Sequence, residues 1–487
     1  MAILAPISGS ATVGSRTLRQ NIALHDTAIE WALLLGSMLA AGCATQRYHP
    51  APIAAEQTAA AFTARTLDDP GLRAFAEPVY GPAAWPPPAW DYRALSLAAL
   101  YFNPSLEAAR ARIAESQAQI LTAGARPNPS FALTPGVPSP YLLTLDLSFP
   151  LETAGKRGYR LQAARSLDLA ARLELARAAW TVRSAVRAAL VDQLAASRTL
   201  DLVRAEADQR TEQVRALEAM ASAGEISRQE VSTAEVELSR AQSAVAEATA
   251  RSVESAAALA AAIGIPVGAL QAVRLAWPEW ESPPSAESLP RDEIERDAVL
   301  NRLDVRAALA QYAAAESSLQ LEIAKQYPDI DIGPGYTYEE KRSYFTVGFA
   351  ATIPLLDRNQ GPIAEAEARR RQAQAKFVQT QADVISSSER ALALYTAALE
   401  GVAQAARFTD VQARRGEATR KSVQAGELGR LDLDDAEIER SVAERARLDA
   451  LAHAQRALGD LEDAVERPLA PGDALPAIAG LDQAARR

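Results

Sequence analysis

Two nine-residue runs alternate large apolar side chains with small or polar ones at a period of two, the pattern of a strand with one oily and one wet face. In 141–149 one face holds Tyr141, Leu143, Leu145, Leu147 and Phe149, and the other Leu142, Thr144, Asp146 and Ser148. In 345–353 the faces are Phe345, Val347, Phe349, Ala351 and Ile353 against Thr346, Gly348, Ala350 and Thr352. A weaker strand precedes each, with Phe131 and Leu133 in one and Ile330, Ile332, Tyr336 and Tyr338 in the other. After each pair comes a proline-free stretch, 151–265 and 363–467, broken once at Gly224 or Gly426. Each stretch predicts two long helices joined by a tight turn. The first arm, about 155–222, would reach ~100 Å at 1.5 Å per residue. Its stripe of Val182, Val186, Leu190 and Leu194 suits close helix–helix contact. A helix this long needs partner helices along its whole length.

The chain is an internal duplication. Glu115-Ser116 recurs as Glu316-Ser317 and Pro127 as Pro328, both 201 residues on. Phe149-Pro150-Leu151 recurs as Ile353-Pro354-Leu355 at an offset of 204, and Ala223-Gly224-Glu225-Ile226 as Ala425-Gly426-Glu427-Leu428 at 202. Residues 91–290 form the first repeat, with a helix from about 92 to 125, strands about 128–136 and 140–150, and a helical hairpin about 155–264. Residues 291–480 form the second, with strands about 329–339 and 343–354 and a hairpin about 362–465. Pro150 and Pro354 cannot donate to a ladder, so they are expected to end their strands and let a helix begin. The basic trio Lys156, Arg157 and Arg160 would lie just below, as part of that junction or as a solvated helix start.

Composition narrows the function. Of 487 residues, 51 are Lys or Arg and 61 Asp or Glu, for a net charge of −10. An acidic chain without a basic block is a poor partner for nucleic acid. With one Cys and three His, neither a disulfide framework nor a dense soft-metal site is available. No phosphate-binding glycine loop, HExxH or Gly-x-Ser-x-Gly occurs, so no enzyme and no metal-ligating site is predicted. A periplasmic coiled-coil scaffold lipoprotein is the competing class.

The apolar run 31–42 is too short to span a bilayer. With Arg16 and Arg19 before it and Ala40-Ala41-Gly42 directly ahead of Cys43, it reads as a signal peptide over 1–42 and resembles a bacterial lipoprotein box. Cys43 would then carry a covalent lipid, such as palmitate, in the bacterial outer membrane. An ordinary signal cleavage that leaves Cys43 incidental is the alternative. Residues 43–90 are proline-rich and read as an extended arm.

The strands allow two readings. Each hairpin could pack its apolar face on a helix. Alternatively, nine or ten residues is the length of a tilted membrane strand, and exported β-spans must form closed barrels. Four strands per chain cannot close, so copies must join. Thr144, Asp146, Ser148 and Thr346 would then line the lumen. Tyr141, Leu143, Leu145, Leu147, Phe149, Phe345, Val347, Phe349 and Ile353 would face lipid.

The chain resembles the TolC-like outer-membrane efflux proteins, most closely the CzcC-like heavy-metal branch, over about residues 90–465. The resemblance rests on Asn103-Pro104-Ser105-Leu106 with Ala108-Ala109-Arg110, on Phe149-Pro150-Leu151-Glu152-Thr153-Ala154-Gly155-Lys156-Arg157, on Ile353-Pro354-Leu355-Leu356-Asp357-Arg358-Asn359-Gln360-Gly361, and on the two Ala-Gly turns. It implies a mainly α fold with membrane β: a homotrimer whose twelve strands form an outer-membrane barrel continued by a periplasmic helical barrel. It implies a passive exit duct for a resistance-nodulation-division pump and a periplasmic adaptor (membrane fusion protein). Heavy-metal cations are the implied cargo, with drugs or other small organic molecules the alternative. Ala223, Gly224, Ile226, Ala425, Gly426 and Leu428 would meet the adaptor, unless the glycines are simple helix ends. Asp432 and Asp435 would line the periplasmic mouth, unless they belong to a solvated helix face.

Overall fold

The computed structural model describes residues 46–81, 85–136, 142–289, 296 and 300–469. Cys43 and Tyr141, two of the residues singled out above, lie outside them. The chain divides into two units, 1–60 and 61–487. In the first, residues 46–54 carry no regular structure and helix α1, Ala55–Thr63, begins.

In the second unit the arm is less extended than expected. Helix α2, Pro70–Tyr80, is started by Asp69, whose carboxylate accepts from the Gly71 and Leu72 amides, with Pro70 in the first turn. There proline costs no hydrogen bond, because its N–H would be an orphan anyway. The helix expected from 92 to 125 is two. Helix α3, Tyr92–Phe102, is capped by Asp91, and α4, Pro104–Gly124, by Asn103. Pro104 breaks the run for the reason Pro70 starts one.

Two long hairpins dominate. Helix α5, Lys156–Ala223, spans 68 residues and turns into α6, Arg228–Ile263. The short α7, Val267–Gln271, and two 3-10 turns lead to α8, Leu303–Ala324. The second hairpin is α9, Gln360–Gln424, of 65 residues, and α10, Arg430–Val465. Helix α5 packs along α6, and α9 along α10, while α5 also touches α4, α8 and α10.

The cores sit at the middle of the long helices. One joins Leu72, Trp90, Tyr92, Leu106, Val186, Leu190, Ile263 and Trp280, and a second gathers Val384, Tyr395, Leu458 and Leu461. Between them lies a buried polar clasp. Arg183 and Arg187 each approach Glu462 at 3.5 Å. Arg187 donates to Gln455 Oε1 at 2.9 Å, and Gln455 donates to the Trp280 carbonyl at 2.8 Å. Both guanidinium groups lie over the Tyr92 ring. Trp180 and Ser184 donate to Asp463, whose carboxyl is pushed up by burial against those two bonds. Charges this deep are tolerated only when paired and hydrogen-bonded. The clasp ties α5 of one repeat to α10 of the other.

The strands form one antiparallel sheet in the order β1-β2-β3-β4, with β1 Ser130–Pro135, β2 Leu142–Leu151, β3 Ile330–Glu339 and β4 Arg342–Ala351. None of its residues belongs to a hydrophobic core cluster. The reading in which each hairpin packs on a helix is therefore overturned. Two details also differ from expectation. Pro150 does not end β2 but pairs opposite Asp331 one residue before its end. Its missing N–H costs little so near the terminus. Strand β4 stops at Ala351, so Ile353 and Pro354 lie beyond it.

Candidate functional site: an open amphipathic sheet and two helical tips

The register decides which side chains share a face. Strand β2 pairs with β1 through Leu147↔Phe131 and Leu145↔Leu133, and with β3 through Leu143↔Tyr338, Leu145↔Tyr336 and Phe149↔Ile332. Strand β3 pairs with β4 through Ile332↔Phe349, Pro334↔Val347 and Tyr336↔Phe345. Directly opposed residues point to the same side. The apolar residues of both repeats therefore fall on one face. A slip of one residue at the β2–β3 seam would have set them on opposite faces.

The other face is small and mostly polar, with Leu142 and Tyr344 as large residues toward its β3–β4 turn end. It carries Thr144, Asp146, Ser148 and Thr346, together with Ala132, Thr134, Gly333 and Thr337, the alternates of the weaker strands, and Gly335. Gly335 leaves room for its neighbours' side chains: a Cβ there would lie 2.9 Å from Asp146 Oδ1 and 2.5 Å from Thr346 Oγ1, and both would have to swing aside. Its neighbours Gly333 and Pro334 weaken the strand pattern, which is why β3 was hard to see in the sequence.

The apolar face is bare. Phe345 is 85% exposed, Phe349 72% and Phe131 66%. The inner strands β2 and β3 are half-buried by each other, whereas β1 and β4 are exposed throughout and lack an outer partner. The β3–β4 connection is a two-residue turn with Glu340 at φ +46° and Lys341 at +68°, the left-handed pair that matches strand twist.

The junction between sheet and helices is fastened by the basic trio. Lys156 is buried, and its ammonium donates to the Tyr327 carbonyl and to Asp329 Oδ1, each at 2.7 Å. Arg157 donates to the Gly124 carbonyl at 2.7 Å, and Arg160 to the carboxylate of Glu152 and to the Ala123 and Ala125 carbonyls. Cations on the last carbonyls of α4 and beside the end of α8 complement both helix dipoles. Thr153 adds its amide to Asp329 and its hydroxyl to the Pro328 carbonyl. Partial burial pushes the Asp329 carboxyl up, but the bonds from Lys156 and Thr153 and the charge of Arg160 outweigh it and hold it below the usual range.

At the far end, α5 finishes at Ala223, and Gly224 takes φ +80°, its N–H bonding the Ala221 carbonyl. Ile226 is half-buried, and Ser227 caps α6 in a reciprocal box with Glu230. The second tip repeats the arrangement, with Ala425 closing α9 and Gly426 at φ +77°. A Cβ on either glycine would meet nothing within 4 Å, so the glycines answer to backbone conformation and not to crowding. Leu428 is exposed. Asp432 accepts from the Gly429 amide at 2.9 Å, as Glu230 does for Ser227 in the first copy. Asp435 accepts from Gln213 Nε2 of α5, also at 2.9 Å. Asp434, between them, has its carboxyl pushed up by burial first, with Glu437, Asp435 and Glu212 adding to it against Arg430. Among the described residues no helix is long and apolar enough to cross a membrane, and no group of three or more His, Cys, Asp or Glu could hold a metal ion.

A family model described as "Outer membrane efflux protein" matches residues 95–265 and 296–465. The chain is 27% identical over 298 residues to the cobalt-zinc-cadmium resistance protein CzcC of Cupriavidus metallidurans, covering 58% of this chain and 68% of that one. Its fold is like that of the outer membrane protein VceC from Vibrio cholerae, with TM-score 0.62 at 20% identity over 78% of this chain and 97% of that one. It is also like CusC, described with transmembrane channel formation, with TM-score 0.61 at 18% identity over 88% and 100% of the two chains.

The junction generates a pH test. A carboxyl held low in the folded state stabilises above its ordinary pKa of about 4, and the gain is lost progressively as pH falls from there through the lowered folded-state value. Asp329→Asn is expected to cost about 1–2 kcal/mol at pH 7, given its partial exposure, and clearly less at pH 3. Urea midpoints at the two pH values check this; an equal cost at both would remove the ion pair from the account.

Proposed function

Because the chain belongs to the outer membrane efflux protein family, we propose that three copies close their sheets into one barrel and form the passive exit duct of a tripartite efflux system. The observation that carries this is the bare amphipathic sheet with two open edges. In lipid the apolar face is satisfied, but each open edge leaves backbone groups that only another strand can pair. Two copies would give eight strands, a barrel filled by its own side chains, whereas three give twelve and leave room for a lumen. Thr144, Asp146, Ser148 and Thr346 then face water, and Leu143, Leu145, Leu147, Phe149, Phe345, Val347 and Phe349 face lipid. The long hairpins continue the passage into the periplasm, toward an adaptor and an inner-membrane pump of the resistance-nodulation-division type.

Divalent metal cations are the cargo this reading favours, supported by the likeness to a cobalt-zinc-cadmium resistance protein. The tips around Gly224 and Gly426 are the adaptor contacts, since both turns are solvent-exposed and small. Asp432 and Asp435 narrow the mouth and favour cations. The capping bond of Asp432 is compatible with that role, because a carboxylate keeps lone pairs free after accepting one amide. Cys43 carries the lipid.

Three measurements test these assignments. Purified protein in a planar bilayer is expected to give stepwise, cation-preferring conductance, and Asp432→Asn with Asp435→Asn to weaken that preference while keeping the cap. Folded protein that never conducts would refute the duct. Gly224→Leu with Gly426→Leu is expected to abolish metal resistance while membrane assembly persists, because each turn tolerates a side chain at a cost of about 1–2 kcal/mol. Undiminished resistance would remove the docking role. The mass of the mature N-terminus is expected to show an acylated Cys43; a chain cut elsewhere, or a bare thiol, contradicts the anchor.

A further inference from the structure

Helix α10 is held on three of its sides. Gln455 donates to the Glu279 and Trp280 carbonyls of the first 3-10 turn. Glu462 reaches Arg183 and Arg187 of α5, and Leu458 and Leu461 pack with Val384 and Tyr395 of α9. At about 100° per residue, a position two residues before Gln455 lies on roughly the opposite side of the helix. His453 stands there, with Asp449 one turn before it, and both are exposed. Their i, i+4 spacing stacks two side chains on one face, with Cβ atoms about 5–6 Å apart.

The duplication brings out what is unusual in this pair. Helices α6 and α10 begin at Arg228 and Arg430, 202 residues apart, and 202 residues before Asp449 and His453 stand Glu247 and Arg251. In the first repeat those two close on each other as an exposed ion pair. The second repeat keeps a carboxylate and exchanges the guanidinium for an imidazole. The exchange costs little stability, since an exposed ion pair contributes little. It changes the chemistry, because a guanidinium has no lone pair to give, whereas a neutral imidazole offers a nitrogen beside the carboxylate oxygens. The arginines one turn to either side are turned away, Arg445 to Glu206 and Arg456 to Asp192, both on α5.

We propose that Asp449 and His453 form a two-donor contact for divalent transition-metal ions on the wall of the passage. This rests on the duct and metal-cargo readings above and names a residue pair that the cargo meets. Trp280 shares one core with Leu72 of α2 and Tyr92 of α3. When three copies close, that belt lies outside the ring of long helices, because inside it would fill the passage. The side of α10 turned away from Trp280 is then the inner one. One nitrogen with a carboxylate suits zinc, cobalt, nickel or copper, whereas magnesium and calcium take oxygen ligands. With two protein donors the remaining positions stay with water. The ion is therefore held briefly and released, as conduction requires.

Diethyl pyrocarbonate, which acylates neutral imidazole, tests this on the full-length, membrane-inserted protein. Peptide mass spectrometry reads each histidine separately, with the exposed His49 as internal control. Zn²⁺ is expected to protect His453 at concentrations that leave His49 reactive, and Mg²⁺ at the same concentrations to protect neither. Asp449→Asn is expected to raise the Zn²⁺ needed several-fold. Asp460→Asn, exposed nearly two turns beyond His453, is expected to leave it unchanged. Equal protection by Mg²⁺, or protection of His49 alongside, would mean charge screening or adventitious binding only and overturn the contact. So would protection that Asp449→Asn leaves unchanged. Protein that conducts in a planar bilayer while Zn²⁺ leaves His453 unprotected would overturn the contact and leave the duct standing. Zn²⁺ protection in folded protein that never conducts would overturn the place on a passage wall, and the duct reading with it.

Discussion

A sheet edge is a row of unsatisfied amides and carbonyls, and in hydrocarbon no water can satisfy them. This chain leaves two such edges, on β1 and β4, and an apolar face that none of its own helices covers. The remaining architecture follows from that unfinished sheet. The apolar face requires lipid, and the edges require further strands. The glycine-lined polar face is then left with nothing to do but meet water.

The helices extend the same logic away from the membrane. Helices α5 and α9 are too long to find a core inside one compact body, so their packing is concentrated where several elements cross, at mid-length. There the Arg183, Arg187 and Glu462 clasp ties the two repeats together, and its charges are held by aromatic rings and by Gln455. At the membrane end, Lys156 and Asp329 tie the strand–helix connections of the two repeats to each other. At the opposite end the contacts are polar and exposed, such as Gln213 to Asp435. The hydrophobic cores thus sit at mid-length, while ion pairs and hydrogen bonds hold the two ends.

Much of this was legible because period-two alternation and an internal repeat are strong signals that survive without an alignment. The four strands, the two hairpins and the turns at Gly224 and Gly426 all follow from spacing and from the distribution of proline. What could not be read was register. The motifs Phe149-Pro150-Leu151 and Ile353-Pro354-Leu355 suggested an offset two residues from the one the hairpins adopt, because loop length is invisible to a motif match. The helix break at Pro104 was missed for a related reason: α3 and α4 are both apolar enough to read as one element. The partners of Lys156, Arg157 and Arg160 were also hidden, since those carbonyls lie on helix ends distant in sequence. The residues at the tips and in the strands were identifiable as a set, but their meaning depends on copies of the chain that the sequence names only by implication.

The central claim is that the small polar face of the sheet lines water through a bilayer while the opposite face lies in lipid. Single cysteines placed in turn from 345 to 350 along β4, in protein reconstituted into lipid vesicles, measure it directly with a water-soluble maleimide. The account predicts reactivity alternating with a period of two, high at 346, 348 and 350 and low at 345, 347 and 349. Uniform reactivity, or alternation in the opposite phase, would contradict it.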